Sequence, residues 1–229
     1  MFNMINKKII KHFDRLANSY DNFKERNYYY YDCLKELYYH LIPDVKNKRI
    51  LEIGCGTGAL ITHLKPKYGV GIDASKNMIE VARKKNKKIK FEVMSIENIK
   101  IKEMFDYILL ADVIEHLPNI NEAIKNLNKI SYKDSIIILS MANPFWEPIL
   151  LLAEKFGLKM PEGPHYRIGF KKFNKILIKN DFKIIQKGYR LLIPKKIPII
   201  HHLNKFFYKI PFIRGLGLIE YYIIKKKTA

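Results

Sequence analysis

The chain has 229 residues, enough for one α/β domain with a substantial core and some insertions, but short for a second full domain. Its two cysteines, Cys33 and Cys55, exclude a disulfide framework and a zinc cluster. The net charge of +20 invites a nucleic-acid reading, yet only seven of the 42 basic residues are Arg, so the charge reads first as a lysine-rich solvated surface.

Residues 1–43 read as helical and aromatic, with Tyr28 to Tyr31 in a row. They lack the apolar core and small-residue cleavage site of a secretory signal. No run in the chain reaches the roughly 18 apolar residues that would span a bilayer, so a soluble cytoplasmic protein is expected. Strands are then expected at "RILEIG" (49–54), "GVGID" (69–73), "IKFEVM" (89–94), "DYILLAD" (106–112) and "SIIILSM" (135–141). Helices are expected between them at "GALITHLKP", "SKNMIEVARKKN" and "INEAIKNLNKI", with Ser75 capping the second. This rhythm predicts a parallel sheet with right-handed crossovers. Residues 143–169 are too long for a plain connection and are expected to lie over the site, with a short helix at 147–156. A helix at 170–180 and strands at 182–189 and 218–226 complete the chain.

The charge is uneven. Residues 183–229 hold eleven Lys or Arg against one acid, Glu220, and are also apolar and aromatic. A basic, greasy segment suits an anionic membrane surface, or a lipid-tailed substrate, contacted through 190–229. The plainer reading is a packed loop before a final strand, with His201 and His202 at its surface.

"ILEIGCGTGAL" (50–60) places Gly54, Gly56 and Gly58 at alternate positions after a strand. It lacks the Gly-Lys-Ser/Thr ending of a Walker A loop. Gly54, Gly56 and Ala59 satisfy dinucleotide spacing, and Asp73, at the end of the second strand, suits ribose hydroxyls in either a dinucleotide or S-adenosylmethionine. Glu52 discriminates, because a carboxylate repels a pyrophosphate and attracts an α-ammonium group.

These motifs resemble those of class I S-adenosylmethionine-dependent methyltransferases. "ILEIGCGTG" is similar to the first motif, "GVGIDAS" to the second and "FDYILLADVIEHLPN" to the fourth, while "FDRLANSYD" resembles the lead-in helix of small-molecule members. The resemblance covers about residues 10 to 190. It implies a Rossmann-like fold, a seven-stranded mostly parallel sheet with the last strand antiparallel. It implies a single domain: a helical lid (1–43), a cofactor-binding core (44–142), an active-site insertion (143–169) and a C-terminal part (170–229). The cofactor would be S-adenosylmethionine, held by Glu52, Gly54, Cys55, Gly56, Gly58 and Asp73. Ala74, Met78, Ser95, Ile96 and Ala111 would line the rest, with Met78 against the adenine. The family often has an acid after the third strand to bind the adenine amino group; here Ser95 stands in that place.

A second constellation begins where the fourth strand ends. Asp112, Glu115 and His116 are spaced so that one helical turn would put them on one face. With His165 they could hold a divalent ion such as Mg. The pattern resembles that of ubiquinone-pathway O-methyltransferases and of small-RNA 2′-O-methyltransferases. Without a metal, His116 and Glu115 would orient the acceptor or take its proton; a purely structural role is the third reading. Phe145, Trp146 and Tyr166 could stack on an aromatic acceptor. The expected function is methyl transfer to a small molecule, at oxygen on a phenolic or lipid-tailed acceptor. The alternatives are an RNA methyltransferase, less favoured because the surface is lysine-heavy, and a non-catalytic cofactor-binding protein.

Overall fold

The computed structural model describes residues 2–195, 210, 213 and 215–227. Three helices come first: α1 (Phe2–Leu16), α2 (Tyr20–Arg26) and α3 (Tyr28–Leu41). Strands and helices then alternate: β1 (Arg49–Ile53), α4 (Ala59–Leu64), β2 (Tyr68–Asp73), α5 (Lys76–Lys85), β3 (Lys90–Val93), β4 (Tyr107–Ala111), α6 (Ile120–Ile130) and β5 (Ile136–Ala142). The chain closes with α7 (Glu147–Lys155), α8 (Phe170–Lys179), β6 (Phe182–Arg190) and β7 (Ile219–Lys226).

The seven strands form one sheet in the order β3-β2-β1-β4-β5-β7-β6. The first five pair in parallel, and β7 runs antiparallel to both β5 and β6. Strand order reverses beside β1, where open α/β sheets present a ligand crevice at their carboxyl edge. The central strands are buried on both faces, which is why their sequences read as continuous apolar runs rather than alternating ones. On β1, Leu51 joins a core built with α6 and α8, while Ile50 joins one built with α3, α4 and α5.

Local chemistry sets the helix ends. Ser75 caps α5 as expected, its Oγ accepting the N–H of Met78 at 3.1 Å. Asn119 caps α6 through Glu122 N–H at 3.1 Å. Helix α4 starts on Gly58, which is left-handed at φ 78° and has no side chain to cap with. The Glu52 carboxylate fills that role from β1, accepting the N–H of Ile61 at 3.0 Å. The N-terminal helices are tied to the sheet by polar contacts. The Ser75 hydroxyl donates to Asp14 (2.6 Å), that of Thr57 to Asp21 (2.7 Å), and that of Tyr38 to the Leu110 carbonyl (3.0 Å). Among the described residues no helix is long and apolar enough to cross a membrane.

Candidate active site

A cavity of about 680 Å³ opens at the carboxyl edge of β1, β2 and β4, with α1, α2 and α3 supplying the opposite wall. Its floor is the loop after β1. Gly54 and Gly56 adopt φ of +70° and +53°, and a Cβ at Gly54 would stand 2.4 Å from Val113 Cγ2. The loop is pinned to the end of β2, where the Asp73 carboxylate accepts the N–H groups of Gly56 and Ser75, each at 2.8 Å.

Ten of the eleven residues expected around the cofactor line this cavity: Glu52, Gly54, Cys55, Gly56, Asp73, Ala74, Met78, Ser95, Ile96 and Ala111. Gly58 does not. Its left-handed backbone starts α4, and a Cβ there would meet the Phe91 ring at 2.5 Å, so packing rather than ligand approach demands glycine. Beside Ser95 the structure places an acid that sequence reading missed. Glu97 lines the cavity and accepts a hydrogen bond from the Ser95 hydroxyl. The signal was the run "SIEN", in which a serine-capped turn brings the acid two residues later back to the edge of the cavity.

Glu52 is only 3% exposed. Burial raises its pKa to about 8, against the favourable charge of Lys24 and the Ile61 hydrogen bond. Asp73 is also raised by burial, despite its two backbone donors. A cavity floored by bare backbone and walled by buried acids fits a cationic ligand with ribose hydroxyls, and does not fit a pyrophosphate.

The second constellation is arranged differently from expectation. Residues Ile114–His116 form a short 3-10 turn, and Asp112 lies before it in left-handed backbone at φ 56°. The three side chains therefore do not share one helical face. Asp112 accepts the Tyr30 hydroxyl at 2.7 Å and the Ser140 hydroxyl at 3.2 Å; burial raises its pKa in spite of both bonds. Glu115, 5% exposed, points one oxygen at Ala142 N–H (3.4 Å) and Arg167 (3.3 Å), while its Oε2 has no hydrogen-bond partner. Burial, then the charge of Asp112, lifts Glu115 to about 8 against the pull of Arg167. His116 packs edge-on against Phe13, with Nδ1 3.4 Å from the Pro164 carbonyl. Burial lowers it to about 4, so it is neutral, with Nδ1–H donating and Nε2 carrying the lone pair.

His165 stands apart from these three. It meets Glu147 at 2.8 Å and Glu162 at 3.4 Å, and Arg167 binds Glu147, Glu162 (2.8 Å) and Glu115. Of the four side chains expected as metal ligands, His165 is thus drawn to Glu147 and Glu162, and Glu115 meets the Arg167 guanidinium. Among the described residues no three His, Cys, Asp or Glu side chains are grouped to hold a metal ion. Phe145, Trp146 and Tyr166 do not line the cavity either. Phe145 is 62% exposed, Trp146 donates to the Leu216 carbonyl at 2.6 Å, and Tyr166 binds the Glu115 carbonyl through its backbone. The aromatic lining comes instead from Phe13, Tyr20, Tyr28, Tyr30 and Tyr31 of α1 to α3. His201 and His202 fall outside the described residues, as do the rest of 196–209 and residues 211, 212, 214, 228 and 229 of the basic segment 190–229.

A sheet of this order, with an acid-walled cavity at the carboxyl edge of its parallel strands, is a Rossmann-like fold. Residues 24–187 match the methyltransferase domain family, and the chain belongs to it as a class I S-adenosylmethionine-dependent methyltransferase. A ubiquinone biosynthesis O-methyltransferase of Pelagibacter ubique is 36% identical over 186 residues, covering 71% of this chain and 77% of that protein. A malonyl-[acyl-carrier protein] O-methyltransferase of Bacillus cereus is 31% identical over 148 residues, 60% of this chain and 54% of that one. In fold, the chain is similar to an S-adenosylmethionine-dependent methyltransferase of Thermotoga maritima, with a TM-score of 0.73 at 20% identity over 94% of this chain and 98% of that one.

Proposed function

We propose that this enzyme methylates an oxygen of a small phenolic or lipid-tailed acceptor, with Glu115 taking the acceptor's proton. The observation that carries the reading is the Glu115 Oε2, buried at the cavity wall with no protein partner. A phenol must lose its proton to become a good nucleophile, and a base with a pKa near 8 is matched to that work. His116, lowered to about 4, is a weaker base; its neutral Nε2 accepts a hydrogen bond from the acceptor and orients it.

S-adenosylmethionine, when bound, supplies a methyl group already activated by a sulfonium, with a neutral thioether as leaving group. Glu52 meets its α-ammonium, Asp73 its ribose hydroxyls and Glu97 its adenine amino group, with Met78 and Ile96 against the ring. Helices α1 to α3 and residues 143–169 exclude water and hold the acceptor in line, which is the larger part of the work for a donor so reactive. In this reading the acceptor's proton goes to Glu115 and no metal is called on.

The names of the ubiquinone-biosynthesis relatives support an oxygen acceptor. A lipid tail is supported by α7, which exposes Ile149, Leu151 and Leu152 while Leu150 and Ala153 line the cavity. The basic segment 190–229 then rests on anionic lipid. The name of the Bacillus cereus relative favours a second reading, an acyl carboxylate on a carrier protein. A labelled-methyl transfer screen over phenols, lipid extract, acyl-carrier protein and RNA, with and without a chelator, tests all of this. Transfer to phenols or lipid extract, unaffected by chelation, is expected. Transfer to carrier protein or RNA alone sinks the proposal.

A further inference from the structure

Residues 161–167, at the end of the insertion, form a strap over the turn that carries Glu115 and His116. His116 Nδ1–H donates to the Pro164 carbonyl at 3.4 Å, Tyr166 N–H donates to the Glu115 carbonyl at 2.6 Å, and Arg167 Nη1 donates to Glu115 Oε1 at 3.3 Å. On its other side the strap reaches α1, where His12 Nε2–H donates to the Pro161 carbonyl at 3.0 Å. The backbone of the strap is therefore held without the Arg167 side chain, which leaves that side chain a task of its own.

A guanidinium is flat and its donors sit in a fixed fork. Each nitrogen of Arg167 meets a different carboxylate: Nε meets Glu147, Nη2 meets Glu162 at 2.8 Å, and Nη1 meets Glu115. Glu147 opens α7 and Glu162 lies in the strap, so both belong to the insertion. With two nitrogens fixed on those acids the plane is set, and the direction of Nη1 is set with it. Left alone, the terminal torsion of a glutamate is broad and either oxygen can face the cavity. Here Arg167 and the Ala142 N–H both take Oε1, and Oε2 keeps no hydrogen-bond partner. Arg167 does not itself line the cavity.

We propose that Arg167 is a positioning residue: it takes Oε1 of Glu115 and thereby aims Oε2 at the acceptor. It does so from within the insertion, so folding of 143–169 over the site and setting of the base are one event. The inference rests on the reading of Glu115 as the base and adds what orients it.

Crystal structures of the wild type, Arg167→Met and Arg167→Lys with S-adenosylhomocysteine read the pose of Glu115, and steady-state kinetics with catechol as acceptor read its consequence. Arg167→Met is expected to turn the Glu115 carboxylate out of its wild-type pose and to lower kcat by about a hundredfold, as a misplacement of about 1 Å can, with KM and S-adenosylhomocysteine affinity within about twofold. Arg167→Lys keeps the charge without the fork, and is expected to fold as the wild type does while recovering little of kcat. In a Glu115→Gln background, Arg167→Met is expected to cost no further kcat, because the two side chains act as a unit. Glu115 held in its wild-type pose in both variants overturns the positioning role, and so does a wild-type kcat in Arg167→Lys. A turned pose with unchanged kcat upholds the positioning and overturns Glu115 as the base. A wild type inactive on catechol overturns the phenolic reading, and the crystal pose still decides the role of Arg167.

Discussion

The two halves of the cavity are built by different means. On the cofactor side, beneath β1, β2 and β3, the functional groups are set by backbone: a glycine loop pinned by Asp73, a helix start capped by Glu52, a turn capped by Ser95. On the acceptor side, beside β4 and β5, they are set by side chains meeting across long sequence separations: Tyr30 on Asp112, Arg167 on Glu115, the Pro164 carbonyl on His116. A backbone-built half holds its shape through short, local bonds. A side-chain-built half depends on a charge network that one substitution can break, and it is the half a change of acceptor would have to remodel.

The sharpest way to separate the halves is Glu115→Gln. Steady-state kinetics are expected to show kcat reduced by about a hundred- to ten-thousandfold, the range for losing a general base, while cofactor affinity by calorimetry stays within about twofold. In the wild type the rate is expected to rise with pH through about 8 as Glu115 loses its proton, and Glu115→Gln to lack that limb.

Arg167→Met breaks the acceptor side without touching the cofactor side. It leaves Glu115, Glu147 and Glu162 facing one another with no guanidinium between them. Removing one partner from such a buried network costs about 3 kcal/mol, read by urea unfolding, with S-adenosylhomocysteine binding little changed. An unfolding midpoint equal to that of the wild type would show that the network is solvent-relaxed and carries no load.

Asp73→Ala attacks the cofactor side. Gly56 and Ser75 lose their shared acceptor, and S-adenosylhomocysteine affinity is expected to fall by about tenfold to a hundredfold. Unchanged affinity would place the ribose elsewhere.

A pH dependence of stability is shared by both halves. Glu52 and Glu115 sit near 8 in the folded chain against an ordinary 4.5. The native state therefore holds protons that the unfolded state releases. Their contribution to stability is full below about 4.5 and declines as pH rises toward about 8. Melting temperature is expected to fall across that window, and Glu52→Gln to flatten the slope.

Legibility in the sequence follows the same division. The strand runs were readable because buried parallel strands are apolar on both faces, and each expected strand lies within two residues of an observed one. The glycine loop, Glu52 and Asp73 were readable because their spacing is a property of one strand-turn-helix unit. Gly58 was assigned to the wrong cause, since its contact with Phe91 comes from β3, far along the chain. The turn at 112–116 was misjudged because a left-handed Asp112 has no signature in residue spacing; its partners Tyr30 and Ser140 lie 82 and 28 positions away. The tyrosines of α2 and α3 were passed over for the same reason, and Glu97 because the serine-capped turn that brings it back to the cavity went unread.

What the amino-acid order determined by itself was the sheet, the helix starts and the side of the cavity that meets the methyl donor. Those features rest on hydrophobic periodicity, caps and glycine conformations, each decided within a dozen residues. Only the tertiary structure decided that Tyr30 meets Asp112, that Arg167 meets Glu115, Glu147 and Glu162, and that Lys24 lines the same cavity as Glu52. Those outcomes depend on which distant side chains are buried together, and burial sets both their protonation and their partners.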